Sequence, residues 1–276
     1  MAHKVKVAAK AGFCFGVANA IRKLDEAIKS GRKPIVTLGH IIHNRQVIER
    51  YEALGIEVLE EAAEAPEGAV VVIRSHGIAK NVYDVLKQKH IEIIDATCPD
   101  VKKVQDIVYE HYKAGYHIII VGDKSHPEVI GINGWCENSA QIINCKKDVP
   151  NFKKCGRICV VAQTTMIERA FLEIVEAFAD QDGIKVFNTI CSATAQRQEK
   201  AAEVAKVSDA MVVIGGYHSS NTKKLADICG LYCEKTFHIE TADELDMDQL
   251  NECEKVGITA GASTPAWIIE EVAQKL

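Results

Sequence analysis

Nine short runs rich in valine and isoleucine punctuate the chain: VKVAA, PIVTLG, AVVVIRS, IEIIDAT, HIIIVGD, ICVVAQ, KVFNTI, AMVVIGG and KVGITAG. Each is a continuous apolar run rather than a strict alternation. That pattern predicts strands covered on both faces of a parallel sheet. The stretches between them, such as NRQVIERYEALG and IERAFLEIVEAFA, repeat apolar residues at i, i+3, i+4 and i+7, which predicts crossover helices. Gly31, Gly55, Gly115 and Gly183 fall near the expected helix ends, where glycine closes a last turn. No Pro-rich or Ser-rich linker interrupts the pattern, so the class is α/β with tightly joined domains.

The residues just after each run repeat in thirds. The order is Cys14, the HIIHN segment with His43, and His76 in RSHG. Next come Cys98 in DATCPD, His126 in KSHPE and Thr164 in QTT, then Cys191 in TICSAT, the SSN of Ser219, Ser220 and Asn221, and Ser263 in AGAST. Cysteine, polar, polar thus recurs three times. The second member lies 29, 28 and 28 residues after its cysteine, and the third 62, 66 and 72 residues after it. Similarity between the thirds is one of architecture more than of residues. Parallel strands present their C-terminal ends along one sheet edge, where ligands bind. Three such edges facing one centre would bring together three thiols and a ring of His, Ser, Thr and Asn.

Composition narrows the chemistry. Among 276 residues, 47% are hydrophobic, which is the make-up of a globular chain with a sizeable core. The 33 basic and 38 acidic residues leave a net charge of −5 with no basic block, against a nucleic-acid binder. The opening MAHKVKVAAK lacks the apolar core of a signal peptide, and the longest aliphatic runs are too short to span a bilayer. No membrane role is expected, and the cytoplasm is the expected compartment. There, ten cysteines read as thiols for metal binding, redox chemistry or plain packing rather than as disulfides.

Each singled-out residue also has an ordinary reading. Cys14 alone could be a buried thiol, His76 or His126 a packed histidine, SSN a helix cap and AGAS a tight turn. Glu128, two residues beyond His126, could simply stabilise a helix N-terminus. It could also hold or pass a proton beside a substrate oxygen. Cys136, Cys145, Cys155, Cys159, Cys229, Cys233 and Cys253 share no repeated placement and read as packing. His40 receives no role. Three thiolates suit a soft metal. Structural zinc and iron–sulfur clusters usually take four protein ligands, so three leave one position open. Helix N-termini after these turns favour phosphate.

The motifs GFCFGV, IIHN, RSHG, DATCP, HPEV, QTT, TICSATAQRQ, SSNTKKL and AGASTP, in this order and spacing, resemble the 4-hydroxy-3-methylbut-2-enyl diphosphate reductases, which close the non-mevalonate isoprenoid pathway. The resemblance spans essentially the whole chain. It implies three small parallel-sheet αβ lobes in pseudo-threefold arrangement around a central iron–sulfur cluster: residues 14–97, 98–190, and 191–276 joined by strand 1–13. It implies Cys14, Cys98 and Cys191 as ligands of a 4Fe–4S cluster. His43, His76, His126, Ser219, Ser220, Asn221 and Ser263 would bind the diphosphate, Thr164 would contact the substrate near its hydroxyl, and Glu128 would donate a proton. An external electron donor of ferredoxin or flavodoxin type is implied too. Gly12 and Gly16 are expected to let the backbone turn close to the cluster, and Phe13 and Phe15 to keep water from it. Two rival readings stand beside this one: a thiol-dependent phosphatase using Cys14, and a non-catalytic organic-phosphate binder with structural zinc.

Overall fold

A computed structural model of the chain describes residues 3–32, 34–149, 156–178 and 182–276. Cys155 lies outside the described residues. The chain opens with β1 (Lys4–Val7) and α1 (Phe15–Lys29), then β2 (Ile35–Leu38), α2 (Arg45–Ala53), β3 (Glu57–Leu59), β4 (Val70–Ile73), α3 (Lys80–Gln88) and β5 (Glu92–Asp95). Next come α4 (Pro99–Lys113), β6 (His117–Val121), α5 (Pro127–Asn133), β7 (Gln141–Ile143), β8 (Ile158–Ala162), α6 (Glu168–Glu176) and β9 (Ile184–Phe187). The last part holds α7 (Ser192–Ala205), β10 (Ala210–Ile214), α8 (Ser220–Gly230), β11 (Thr236–Ile239), β12 (Lys255–Ala260) and α9 (Ala266–Lys275).

The strands form three four-stranded sheets, every pairing parallel, with orders β3-β2-β4-β5, β7-β6-β8-β9 and β1-β12-β10-β11. All three have one topology. Counted along each third, the second strand is at one edge, the first and third are central, and the fourth is at the other edge. In the last sheet the fourth position is taken by β1, the first strand of the chain, which pairs with β12 in the register Lys4↔Lys255 to Val7↔Ile258.

Two differences from the sequence pattern arise at edge positions. β3, β7 and β11 were not among the nine runs. They are edge strands of three or four residues, EVL, QII and TFHI, and too short for a period to show. β1, β5 and β9 were expected to be covered on both faces. They too are edges, with β1 exposed along its length and β5 and β9 partly so. Only the central strands β2, β4, β8 and β10, and β6 and β12 after their first residues, are buried throughout. Gly31, Gly55 and Gly115 take positive φ just past α1, α2 and α4, while Gly183 takes it just before β9 rather than at a helix end.

The chain forms two compact units. One comprises Met1–Val17, His43–Ile48 and Ser192–Leu276. Its sheet packs Val212, Ile214 and Ile258 against Ile268 and Val272 of α9, and Met211 and Val213 against Val204 of α7 and Leu225 of α8. The other unit comprises Ala18–Ile42 and Glu49–Cys191 and holds two sheets. Val71 and Ile73 pack with Leu86 of α3. Val121 and Val160 pack with Phe171 and Ile174 of α6, and Ile120 and Val161 with Val104 and Val108 of α4. Each such fully buried side chain contributes about 1.5–3 kcal/mol. That rigidity matters because the chemistry-bearing residues lie on the loops at the strand ends and in the first turns of the helices that follow them.

Candidate functional site

Those loops obey a rule. The three singled-out cysteines come after the fourth strand of a sheet: Cys14 after β1, Cys98 after β5 and Cys191 after β9. Each immediately precedes a long helix, α1, α4 or α7, of 15, 15 and 14 residues. Cys98 is the N-cap of α4, with Pro99 at the first helical position. Cys14 Sγ accepts the N–H of Val17 at 3.5 Å. A helix N-terminus favours negative charge. The polar residues instead come after the two central strands of each sheet. His43 follows β2 and His76 β4, His126 follows β6 and Thr164 β8, and Ser219–Asn221 follow β10 and Ser263 β12.

The remaining described cysteines differ in environment. Cys14, Cys98 and Cys191 are half-buried, Cys145 is exposed, and Cys136, Cys159, Cys229, Cys233 and Cys253 are buried. Burial pushes the thiols of Cys159 and Cys229 up to about 12, and it raises those of Cys136 and Cys233 as well. These are packing residues that hold their protons.

Within the unit that holds two sheets, one run of contacts joins two of the cysteines to the acid. Cys98 donates its N–H to Ser75 O at 2.9 Å. Next to Ser75, the His76 ring meets His126 edge-on, with centroids 5.5 Å apart. His126 caps α5 by accepting the Glu128 N–H at Nδ1, 3.2 Å. The Glu128 carboxylate, only 2% exposed, accepts the Thr164 N–H at Oε1 (2.6 Å) and the Thr164 hydroxyl at Oε2 (2.7 Å). Thr164 O accepts the N–H of Cys191 at 3.0 Å. Glu128 is therefore more than a helix-end charge. It is a buried acid locked to the loop after β8. Gly77, at φ +70, keeps the His76 turn tight against α4, where a Cβ would meet Gln105 Nε2 at 2.5 Å.

The other unit assembles a second set. Cys14 donates its N–H to Ala262 O at 3.2 Å, next to Ser263. Ser263 Oγ donates to His43 O at 2.9 Å. Ser219 is the N-cap of α8 and accepts the Thr222 N–H at 3.3 Å, so the cap reading of SSN holds for its first residue. Asn221 does something else. It is 5% exposed, and neither its Oδ1 nor its Nδ2 has a hydrogen-bond partner among the described residues. An unmet buried amide costs about 1–3 kcal/mol, so this one is open to a polar partner from outside the chain, water or ligand.

Gly12 takes φ +92, and a Cβ there would meet Ile269 Cδ1 at 3.1 Å and Thr264 O at 3.2 Å, so glycine is required. Phe15 differs from expectation. It is 76% exposed, at the first residue of α1, and takes no part in the core of the chain. The Glu128–Thr164 link and the orphaned Asn221 amide were both missed by sequence reasoning. Neither has a local signal, the first because its partners are 36 residues apart. Among the described residues, no helix is long and apolar enough to cross a membrane.

Comparison with known proteins agrees with this fold. The family model of the LytB protein matches residues 5–276. The 4-hydroxy-3-methylbut-2-enyl diphosphate reductase of Alkaliphilus oremlandii is 50% identical over 279 residues, covering 99% of each chain. A solved structure of (E)-4-hydroxy-3-methyl-but-2-enyl diphosphate reductase is 42% identical, with a TM-score of 0.72 over 98% of both chains. The E-1-hydroxy-2-methyl-but-2-enyl-4-diphosphate reductase of Plasmodium falciparum is 30% identical, with a TM-score of 0.93 over 98% of this chain and 86% of its own. With matches running almost end to end, the chain belongs to the LytB protein family.

Proposed function

We propose that the chain is an oxidoreductase that converts (E)-4-hydroxy-3-methylbut-2-enyl diphosphate to isopentenyl and dimethylallyl diphosphate. The relatives that match over the full length carry the name of this reductase. The observation within the chain that carries the reading is the repeated loop rule: a half-buried cysteine before a long helix in each third, and polar residues after every central strand.

Cys14, Cys98 and Cys191 are the donor set for a 4Fe–4S cluster, with residues 14–97, 98–190 and 191–276 (plus 1–13) as the three lobes that supply them. The set fits. These three are half-buried at helix N-termini, whereas the buried thiols are held protonated. When bound, such a cluster supplies electrons and an open iron acting as a Lewis acid toward the substrate hydroxyl.

The chain's own groups do the rest. His43, His76, His126, Ser219, Ser220, Asn221 and Ser263 hold the diphosphate, and the buried Asn221 amide, without a hydrogen-bond partner among the described residues, is open to it. That anchorage supplies orientation rather than chemistry. Glu128, oriented by Thr164 and His126, passes a proton to the hydroxyl so that it leaves as water. Removing hydroxide equivalents and adding hydrogen consumes two electrons and two protons per turnover. The electrons come from an external donor of ferredoxin or flavodoxin type.

The test is anaerobic iron and sulfide analysis, with turnover of the diphosphate substrate by an artificial electron donor. Colourless, iron-free protein with phosphatase activity would favour the Cys14 phosphatase instead. Colourless protein holding zinc would favour the non-catalytic binder.

A further inference from the structure

We propose that Arg197 is a positioning residue for Cys14, tying the turn before that cysteine to the first turn of the helix after Cys191. Arg197 stands on α7 and is 2% exposed. Its guanidinium donates from Nε to Lys10 O at 2.9 Å, from Nη2 to Gly12 O at 2.8 Å and from Nη1 to Ala193 O at 3.4 Å. Gly12 and Ala193 each lie two residues from a cysteine, Cys14 and Cys191.

The turn it grips needs holding. Lys10, at φ +69, and Gly12, at φ +92, are both in left-handed conformations, and for lysine that is strained. The turn's own backbone bonds are long, with Ala11 N to Ala8 O at 3.3 Å and Gly12 N to Ala260 O at 3.5 Å. Charge-assisted donors from a rigid fork are the strongest replacement available. Lysine at this place would keep the charge but offer one point donor where three carbonyls must be met.

The consequence for a cluster rests on the function proposed above. The effect on Cys14 does not, so the two are tested apart. In the full chain prepared without metal, Arg197→Lys and Arg197→Gln are compared with wild type by timed iodoacetamide labelling and peptide mass spectrometry. Loss of the clamp should raise the Cys14 labelling rate roughly ten- to a hundredfold. Cys98, Cys159 and Cys229 should keep their wild-type rates. In the iron-reconstituted chain, both variants should bind less iron and show an altered electron paramagnetic resonance signal on reduction.

An unchanged Cys14 rate in both variants would overturn the proposal. So would a Cys14 rate that rises in step with Cys159 and Cys229, including through outright unfolding, since that is general loosening. If wild type holds no iron yet Cys14 alone is released in the variants, the cluster reading fails and the clamp stands.

Discussion

Thr164 grips both oxygens of Glu128, through its backbone N–H at 2.6 Å and its hydroxyl at 2.7 Å. Thr164 lies on the loop after β8 and Glu128 in the first turn of α5, after β6 of the same sheet, and Thr164 O also receives the N–H of Cys191. The acid is thereby placed relative to a proposed cluster ligand. If Glu128 is the proton donor, Glu128→Gln should lower turnover by at least about 10²-fold. Iron content and diphosphate affinity should stay close to wild type. Steady-state rates with an artificial donor, alongside iron analysis, check this. Near-normal turnover would remove Glu128 from the mechanism.

The Thr164 hydroxyl is separable from its backbone N–H. Thr164→Ser should retain most activity, because it keeps an Oγ for Glu128 Oε2. Thr164→Ala removes the hydroxyl's bond to a buried carboxylate oxygen and should cost about 1–3 kcal/mol of stability, together with a clear loss in kcat. Thermal melts and kinetics on the pair of variants give the comparison. Equal loss in both would mean that the methyl group or the backbone, not the hydroxyl, sets the acid.

Asn221 is a polar group kept at a cost to the fold. Its amide has no partner among the described residues and lies at 5% exposure. Replacing an unmet buried amide with an apolar group of similar shape is near neutral or stabilising. Asn221→Leu should therefore leave Tm unchanged or raised while weakening inorganic diphosphate binding at least about tenfold, read by calorimetry. Lower Tm with unchanged binding would make Asn221 a structural residue.

Much of this layout was legible in the chain. The three cysteines and six polar loops stood out because the central strands that precede the polar loops are long, continuous apolar runs, such as HIIIV before His126 and AMVVI before Ser219. β3, β7 and β11 escaped because an edge strand of three or four residues has no period, and they carry no chemistry. The apolar VKV of β1 looked like a doubly covered strand, yet β1 is an exposed edge, since β12 is its one partner in the sheet order. Phe15, an aromatic beside a cysteine, is likewise exposed rather than packed in the core. Pairings such as Glu128 with Thr164, or Arg197 with Gly12, depend on which loops the topology brings together and leave no local trace.

The buried thiols set an alkaline limit. Burial raises Cys159 and Cys229 to about 12 in the folded chain, against about 8.5 for an unperturbed thiol. Between those values the native state holds protons that the unfolded state has lost, so stability falls as pH rises. The contribution is fully present below about pH 8.5 and is lost progressively toward about pH 12. Urea midpoints should drop between about pH 8 and about pH 10.5, and Cys229→Ala should show a shallower drop than wild type. A slope unchanged by that substitution would assign the alkaline effect elsewhere.

The central claim is that three cysteines at three helix N-termini hold a redox cluster that serves a diphosphate substrate. Iron and sulfide content of the anaerobically purified chain, set beside that of the Cys14→Ala, Cys98→Ala and Cys191→Ala variants, tests it most directly. About four irons and four sulfides per chain, with a broad band near ~400 nm, are expected in wild type. Each single alanine variant should lose most of both, while Cys229→Ala keeps them. A wild-type chain without iron, or three variants that load iron as wild type does, would contradict the account.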